Sequence, residues 1–173
     1  MASILLVEDK IKDAAPLVRS LELEGYTVDT AKDGQEGLDK IRRYSYDVVI
    51  GDMMLPKIEG MSLIRKIDEI KKSSMSTRPQ VIAITGQPKY KSIPQATEAM
   101  RYGAFDYLIK ASPDYDYNER LLSRVREALD QIDESEFAKP KVNLIQNDRG
   151  ITEGVLIEGE PLDLGQKDNY ELD

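Results

Sequence analysis

Five short apolar segments alternate with segments of helical periodicity along the first 132 residues, and this alternation restricts the possible folds most. The apolar segments are too short for buried helices and are predicted to be strands, at residues 3–7, 26–30, 48–52, 80–85 and 105–109. Helices are predicted after them, at residues 13–24, 35–43, 61–70, 95–102 and 118–132. Strictly alternating strands and helices form a parallel sheet with right-handed crossovers. We therefore predict an α/β fold, a doubly wound five-stranded parallel sheet with helices on both faces.

Local sequence signals refine the ends of these elements. Asp13 is predicted to cap the first helix, which places Pro16 in its first turn, and Gly25 is predicted to end that helix. The second strand is more polar than the others and is expected near an edge of the sheet. Residues 71–79 are predicted to be a polar loop, and a loop rich in glycine and proline is predicted before the fourth helix.

Two absent residue types exclude several kinds of site. The 173-residue chain has no cysteine, which excludes disulfides and thiolate metal sites and is compatible with a reducing cytosol. It has no histidine either, so a Ser-His-Asp triad and a histidine general base are excluded. A metal site would therefore use oxygen ligands, which favour hard cations such as Mg²⁺, Mn²⁺ or Ca²⁺.

Charge and hydropathy restrict the partners. From residue 133 onward eleven acids face four bases, whereas the first 132 residues hold 21 acids and 20 bases. Neither part has the clustered basic residues of a nucleic-acid surface, so direct DNA binding is not expected. No apolar run approaches the roughly 20 residues of a membrane span, and we expect a cytoplasmic protein without membrane contact.

Chemically active side chains follow four of the predicted strands. Glu8 and Asp9 follow the first, Asp52 ends the third, Thr85 ends the fourth and Lys110 follows the fifth. An isolated aspartate after a strand is usually a turn or cap residue. However, parallel strands bring these ends to one edge of the sheet, which is where open α/β folds bind ligands.

Three carboxylates at one edge repel one another, by roughly 4 kcal/mol for two unit charges about 4 Å apart at an effective dielectric constant of 20. A divalent cation and Lys110 would offset this repulsion, and a site of few carboxylates, a backbone carbonyl and water suits Mg²⁺. Asp52 is then a candidate nucleophile, because carboxylates can form aspartyl phosphates. The cation and Lys110 would stabilise the charge of the transferred group.

These motifs together resemble the receiver domain of two-component response regulators. The similarity covers residues 1–132 and rests on the acid pair, the sequence D-M-M-L-P-K-I-E-G from Asp52, Thr85 followed by a small Gly86, and G-A-F-D-Y-L-I-K ending at Lys110. The resemblance implies the flavodoxin-like strand order 2-1-3-4-5, which chemotaxis receivers share with flavodoxin.

The resemblance also implies a role for each residue of the site. Asp52 would accept a phosphoryl group from a sensor histidine kinase or phosphotransfer protein. Glu8, Asp9, Asp52 and the backbone carbonyl of Met54 would hold Mg²⁺, with Mn²⁺ as an alternative. Lys110 and Thr85 would contact the phosphoryl group.

The same resemblance implies how phosphorylation of the site would change contacts with other proteins. Tyr107, which is expected on the same face of its strand as Phe105, would turn inward with Thr85 and change contacts with a downstream protein or a second copy of the chain. The chain would then be a phosphoacceptor with Mg²⁺-dependent self-phosphorylation and autodephosphorylation, not a turnover enzyme.

The chain departs from the family pattern at two places. Ala111 follows Lys110 where the family usually has a proline, so the loop that carries Lys110 is expected to be set differently. The segment from Thr85 to Tyr107 is a few residues longer than usual, so the fourth helix and its partners are expected to differ.

Residues 133–173 form an acidic extension too short for a usual DNA-binding output domain. Alternating apolar positions at 142–144 and 155–157 flank a predicted turn at 147–150 and favour a small β-hairpin, whereas the net charge favours a disordered linker. Both alternatives stay open.

Two other functions compete with phosphoryl acceptance. One is a receiver-like scaffold that works without phosphorylation, or the receiver part of a larger regulator whose output is supplied by a partner. The other is a phosphohydrolase of similar topology, which usually has a second acid two residues after the nucleophile. Met54 occupies that position here, which disfavours a phosphohydrolase.

Overall fold

Five parallel strands form the central sheet of the first of two structural units, Met1–Asp133. The computed structural model describes residues 1–110, 116–137, 142–146, 152–157 and 160–162. The strands are β1 Ser3–Val7, β2 Thr27–Ala31, β3 Val48–Asp52, β4 Gln80–Thr85 and β5 Asp106–Ile109. They lie in the order β2-β1-β3-β4-β5, so the predicted sheet and strand order are confirmed and the polar β2 is an edge strand.

Helices cover both faces of this sheet. They are α1 Ile11–Leu23, α2 Gly34–Arg43, α3 Gly60–Ser74, α4 Lys89–Arg101 and α5 Tyr117–Phe137. One apolar cluster joins α1 and α5 to the sheet, and a second joins α2, α3 and α4 to the other face. Within β3, Val48 and Ile50 belong to the first cluster and Val49 to the second, as the alternation of a strand requires. Of the helices that the structure describes, none combines the length and apolarity needed to span a membrane.

The start of α1 differs from the prediction. Lys10, not Asp13, is the N-cap, and Asp13 lies in the first turn. Pro16 is therefore the sixth helical residue, outside the first turn. The chain turns directly after β1, and the Lys10 carbonyl accepts hydrogen bonds from the N–H groups of Asp13 and Ala14. The predicted end is confirmed, because Gly25 follows the C-cap with a φ of +88° that favours glycine.

Two further predicted boundaries are wrong. Residues 71–74 belong to α3, which ends at a left-handed Met75, so the polar loop is shorter than predicted. Helix α4 starts at Lys89 and includes Pro94, instead of starting near Gln95. Pro88 precedes it as the N-cap, and the N–H of Ser92 donates to the Pro88 carbonyl, so the first turn is hydrogen-bonded before Pro94 is reached.

The second unit, Glu134–Asp173, contains a three-stranded antiparallel sheet. Its strands are β6 Val142–Gln146, β7 Thr152–Ile157 and β8 Glu160–Leu162, in the order β6-β7-β8. The register pairs Val142 with Ile157 and Leu144 with Val155, which are the two apolar segments of the sequence. The turn predicted at 147–150 lies outside the described residues, as does Ala111.

The loop after β3 is fixed against the start of α2. Asp33 caps α2 by accepting a hydrogen bond from the N–H of Glu36 at 2.8 Å, and Lys57 of the loop pairs with Asp33 at 2.6 Å. These two contacts, first the Lys57 hydrogen bond and then the Glu36 N–H, lower the pKa of Asp33. Gly34 lies so close to Ile58 that an added Cβ would stand 2.1 Å from the Ile58 carbonyl oxygen.

We expect the Asp33→Ala variant to lose about 1–2 kcal/mol of stability at pH 7, as for other lost N-caps. Asp33→Asn should retain most of the stability that Asp33→Ala loses, because asparagine also caps helices. Since the pKa of Asp33 is lowered in the folded protein, its charge stabilises the fold above the unfolded pKa of about 3.8, and this part disappears as the pH falls through the folded value. Urea unfolding at pH 7 and near pH 3 measures both effects. An Asp33→Asn deficit that grows toward low pH would contradict the assignment.

Candidate functional site

Four strand ends supply the charged and hydroxyl side chains of the candidate site. Glu8 and Asp9 follow β1, Asp52 ends β3, Thr85 ends β4 and Lys110 follows β5. The sheet places these strands side by side, and the ammonium group of Lys110 contacts both Glu8 and Asp52. The structure thus brings together residues up to 102 positions apart in the sequence.

Asp52 is held through both of its carboxylate oxygens. Its side chain lies buried, 3% exposed, because β3 is the central strand of the sheet. Oδ1 accepts a hydrogen bond from the N–H of Met54 at 2.8 Å, and Oδ2 accepts one from Lys110 Nζ at 2.6 Å. The carboxylate is therefore fixed in one orientation, with a cation against one oxygen.

Lys110 also binds Glu8, whose side chain is buried beside Asp52. Burial by itself would lower the pKa of Lys110, but its hydrogen bonds to Asp52 and Glu8 outweigh burial and raise it. Burial raises the pKa of Glu8, against the opposing effect of Lys110. The buried end of the site is thus a network of one ammonium group and two carboxylates.

The acidic residues also fit a divalent cation. Glu8, Asp9 and Asp52 can each offer one carboxylate oxygen, and these three atoms lie within 4.8 Å of one another. Glu8 and Asp52 are buried, whereas Asp9 is exposed, so the group opens to solvent at Asp9. Three carboxylates exceed the single positive charge of Lys110, and an all-oxygen donor set matches the preference of hard cations such as Mg²⁺. The chemistry of the donors therefore fits a metal.

Met54 contributes to the site through its backbone and its side chain. Its N–H donates to Asp52, and its thioether sulfur lies 3.0 Å from the Gln87 side-chain nitrogen. The side chain is 56% exposed and lines an open cleft of about 530 Å³ together with Asp9, Gln87 and Gln95. The predicted metal contact of the Met54 carbonyl stays a prediction.

Thr85 and Tyr107 form the side of the site that faces α4. Thr85 is fully buried, and its hydroxyl oxygen accepts a hydrogen bond from the N–H of Gln87 at 3.1 Å. The Tyr107 hydroxyl donates to Oε1 of Gln95 on α4 at 3.1 Å. Burial raises the pKa of Tyr107, a hydrogen bond from the Thr85 hydroxyl lowers it, and the charge of Asp52 raises it further.

The prediction that Tyr107 and Phe105 share a face is wrong. Tyr107 packs with the cluster of α2, α3 and α4, whereas Phe105 packs with the cluster of α1 and α5. Phe105 precedes the first residue of β5, Asp106, so the alternation of a strand does not extend to it. Its ring lies 4.6 Å from the guanidinium carbon of Arg124 on α5.

Gly60 allows α3 to begin directly against the end of β3. A Cβ at this position would lie 2.4 Å from the Asp52 carbonyl oxygen and 2.5 Å from the Met53 Cα, which are both backbone atoms. The Gly60 N–H also donates to the Met53 carbonyl at 3.3 Å. The glycine of the sequence motif is therefore required by close backbone approach at Asp52 itself.

Sequence reasoning misses two side chains of the cleft, Gln87 and Gln95. The sequence places Gln95 only at the start of the fourth helix, where the direction of its side chain cannot be inferred. A helix starting at Lys89 instead turns Gln95 toward Tyr107. Gln87 lies two residues after Thr85 in a segment predicted only as loop, and its proximity to Thr85 is the one available signal.

Comparisons with known proteins identify the family of this chain. The family model described as response regulator receiver domain matches residues 4–136. The response regulator ArlR of Staphylococcus aureus is 38% identical over 129 residues, which are 75% of this chain and 53% of ArlR. The chain thus spans about half the length of the curated relatives it matches.

Solved receiver structures match the fold as well. A receiver domain from Clostridium thermocellum is 32% identical with a TM-score of 0.64, covering 76% of this chain and 96% of that one. A CheY-like receiver domain protein from Methanospirillum hungatei JF-1 is 27% identical with a TM-score of 0.67, covering 78% of this chain and 98% of that one. With the family model matching more than half of its residues, this chain belongs to the response regulator receiver domain family.

Proposed function

We propose that Asp52 accepts a phosphoryl group from a phosphohistidine of a sensor histidine kinase or phosphotransfer protein. The observation that supports this most is the buried Asp52 carboxylate with Lys110 Nζ at 2.6 Å, beside two further carboxylates. A carboxylate fixed in one orientation beside a cation is arranged to attack phosphorus and to have the resulting charge neutralised.

In the transfer step an Asp52 oxygen forms an O–P bond while the N–P bond of the phosphohistidine breaks. The imidazole nitrogen of the donor leaves with the electron pair of that bond. These 173 residues contain no histidine, so the phosphohistidine lies outside them. Lys110 contacts a phosphoryl oxygen after moving only slightly from its present hydrogen bond to Asp52, and Thr85 donates its hydroxyl hydrogen to another.

Glu8, Asp9, Asp52 and the backbone carbonyl of Met54 would hold Mg²⁺, with Mn²⁺ as a substitute. The cation would supply positive charge to the phosphoryl oxygens. Asp9 is exposed and the other two carboxylates are buried, so Asp9 would be the ligand on the solvent side of the cation.

The response to phosphorylation runs through Thr85 and Tyr107. A phosphoryl group at Asp52 adds negative charge and new acceptor oxygens at the edge of the sheet. The Thr85 hydroxyl turns toward them, and Tyr107, which contacts both Thr85 and α4, repacks. The surface around α4 and β5 then binds a downstream protein or a second copy of the chain.

We also propose that the two parts of the chain have different roles. Residues 1–132 form the phosphoryl-accepting unit, and residues 133–173 form an appended acidic module. Since the match covers 53% of ArlR, the output is supplied by a partner or by a part of the protein beyond the receiver.

We expect acetyl phosphate with Mg²⁺ to phosphorylate the wild-type chain and not the Asp52→Asn variant. Asparagine preserves the size of the side chain but is not a nucleophile toward phosphorus, so phosphorylation should be lost completely. Intact-mass measurement of the phosphorylated form gives the result, and chelation of Mg²⁺ should suppress it.

Lys72→Gln, on the exposed surface of α3, is the matched control that should be phosphorylated normally. No phosphorylation of the wild type would overturn the proposal and favour a scaffold that works without phosphorylation. Equal phosphorylation of Asp52→Asn would show that another residue accepts the phosphoryl group.

A further inference from the structure

Helix α4 contacts the sheet mainly through small side chains. Ser92 and Ala99 are its buried residues among those whose burial is described, whereas Ile93 and Met100 are 56% and 48% exposed. Small side chains bury little apolar area, so they contribute little to holding a helix in one position. The position of α4 therefore depends strongly on its polar contacts.

Among the contacts that the structure describes, two groups of polar contacts join α4 to neighbouring elements. Arg65 of α3 pairs with Glu98, and its guanidinium carbon lies 4.6 Å from the centre of the Tyr102 ring. Gln95 accepts the hydrogen bond from Tyr107 on β5 at 3.1 Å. The first group joins α4 to another helix, whereas the second joins it to the strand that leads to Lys110.

The hydrogen bond between Tyr107 and Gln95 lies next to Thr85 of the candidate site. The N–H of Gln87 donates to the Thr85 oxygen, which leaves the Thr85 hydroxyl hydrogen to be donated onward. In the register of the sheet Tyr107 pairs with Ala83, and Thr85 lies two residues further along β4 on the same face, so Thr85 and Tyr107 are neighbours. The Tyr107 hydroxyl has one hydrogen, and the side-chain oxygen of Gln95 accepts it.

We propose that Gln95 is a positioning residue that holds the Tyr107 side chain inward, beside Thr85, before any phosphorylation. The acceptor oxygen of Gln95 takes the only hydrogen that Tyr107 can donate, in a half-buried place where an unmade hydrogen bond is costly. Tyr107 is then already inward in the resting protein, and a movement of Thr85 on phosphorylation alters the packing of Tyr107 and reaches α4 through Gln95. Only this last consequence rests on the proposed function.

The test measures the position of Tyr107 in the unphosphorylated protein. The chain has nine tyrosines, so the ¹⁹F resonance of Tyr107 in protein labelled with 3-fluorotyrosine is identified by its loss in Tyr107→Phe. A soluble paramagnetic agent then reports how exposed that ring is. We expect Gln95→Leu, which removes the acceptor at similar size, to shift the inward-to-outward ratio of Tyr107 by about 2-fold to 10-fold, the range of one neutral hydrogen bond.

Three further variants separate the hydrogen bond from the packing of α4. Gln95→Glu retains the acceptor oxygen and should keep the ring inward. Thr97→Ala, on the exposed face of the same helix, should leave the ring unchanged. If leucine at this position disturbs the helix, Gln95→Ala removes the same acceptor oxygen with a smaller side chain.

A double-mutant cycle closes the test. Gln95→Leu should change the midpoint of urea unfolding in the wild-type background and leave it unchanged in Tyr107→Phe, where the hydroxyl is missing. An unchanged Tyr107 resonance in both Gln95→Leu and Gln95→Ala, or an equal change in Thr97→Ala, would overturn the proposal. Because no phosphorylated protein is used, failure of Asp52 to accept a phosphoryl group leaves this result intact, and the two failures are distinguishable.

Discussion

Lys110→Met should slow the phosphorylation of Asp52 by acetyl phosphate by about 100-fold or more, which is the usual effect of removing one donor that stabilises a reacting oxyanion. The same substitution should destabilise the protein. Lys110 is the cation bonded to Glu8 and Asp52, and both carboxylates are almost fully buried. Breaking a buried ion pair by removing one partner costs about 3–5 kcal/mol.

The loss of stability should depend on pH in a direction that can be checked. Burial already raises the pKa of Glu8, and the loss of Lys110 raises it further because an opposing cation is removed. A raised acid pKa in the folded protein means that stability declines as the pH rises from the unfolded pKa to the folded one. The deficit of Lys110→Met should therefore be largest near neutral pH and smaller under mildly acidic conditions.

Urea unfolding in the presence of a chelator measures this effect without a divalent cation. Lys72→Met is the matched control, because Lys72 makes an exposed ion pair with Asp68 on the surface of α3 and should contribute little. The double variant Asp52→Asn with Lys110→Met should recover part of the lost stability, since one uncompensated charge is gone. Equal stability of Lys110→Met and Lys72→Met would show that the buried carboxylates do not need Lys110.

The second large effect, on both stability and the rate of phosphorylation, is expected for Gly60→Ala. The new Cβ would lie 2.4 Å from the carbonyl oxygen of Asp52, and the backbone of a central strand cannot move aside as a flexible side chain can. Overpacking of this kind typically costs about 1–3 kcal/mol, partly offset by about 1 kcal/mol from the better helix propensity of alanine. Even where the net loss is modest, displacement of Asp52 by about 1 Å can reduce the rate of its reaction about 100-fold.

Gly86→Ala provides the comparison, because a Cβ at Gly86 would meet no atom within 4 Å. We expect its stability to lie close to that of the wild type, within about 1 kcal/mol. Thermal unfolding of both variants and their phosphorylation rates by intact mass give the measurement. If Gly60→Ala retained the wild-type rate and stability, the strand end would be more deformable than the close approach implies.

The sheet could be predicted from the sequence because four of the strands are short apolar runs, and the second, more polar strand shows the alternation of an edge strand. The strand order needed the resemblance to receivers, since alternation alone allows several orders. The starts of α1 and α4 could not be predicted. In both helices a proline is the sixth residue, and the local rule that proline interrupts a helix places the start too late.

The candidate site was predictable to the level of strand ends and no further. Convergence of Asp52 and Lys110 follows from the topology of any parallel sheet, but the shared contact of Lys110 with Glu8 depends on side-chain directions. Gln95 could not be recognised because an error of six residues in the start of α4 leaves its helical face undefined. The face predicted for Tyr107 is wrong for a related reason, since the first residue of β5 is misplaced by one.

The contact between Glu8 and Lys110 joins positions 102 residues apart. A nascent chain therefore cannot complete this network until Lys110, which follows β5, has left the ribosome. Asp52 leaves the ribosome much earlier. Contacts so distant in sequence also slow folding, because a long loop must close before they form. The network of Lys110, Glu8 and Asp52 therefore forms late, and a truncated molecule that lacks β5 and Lys110 has no such network.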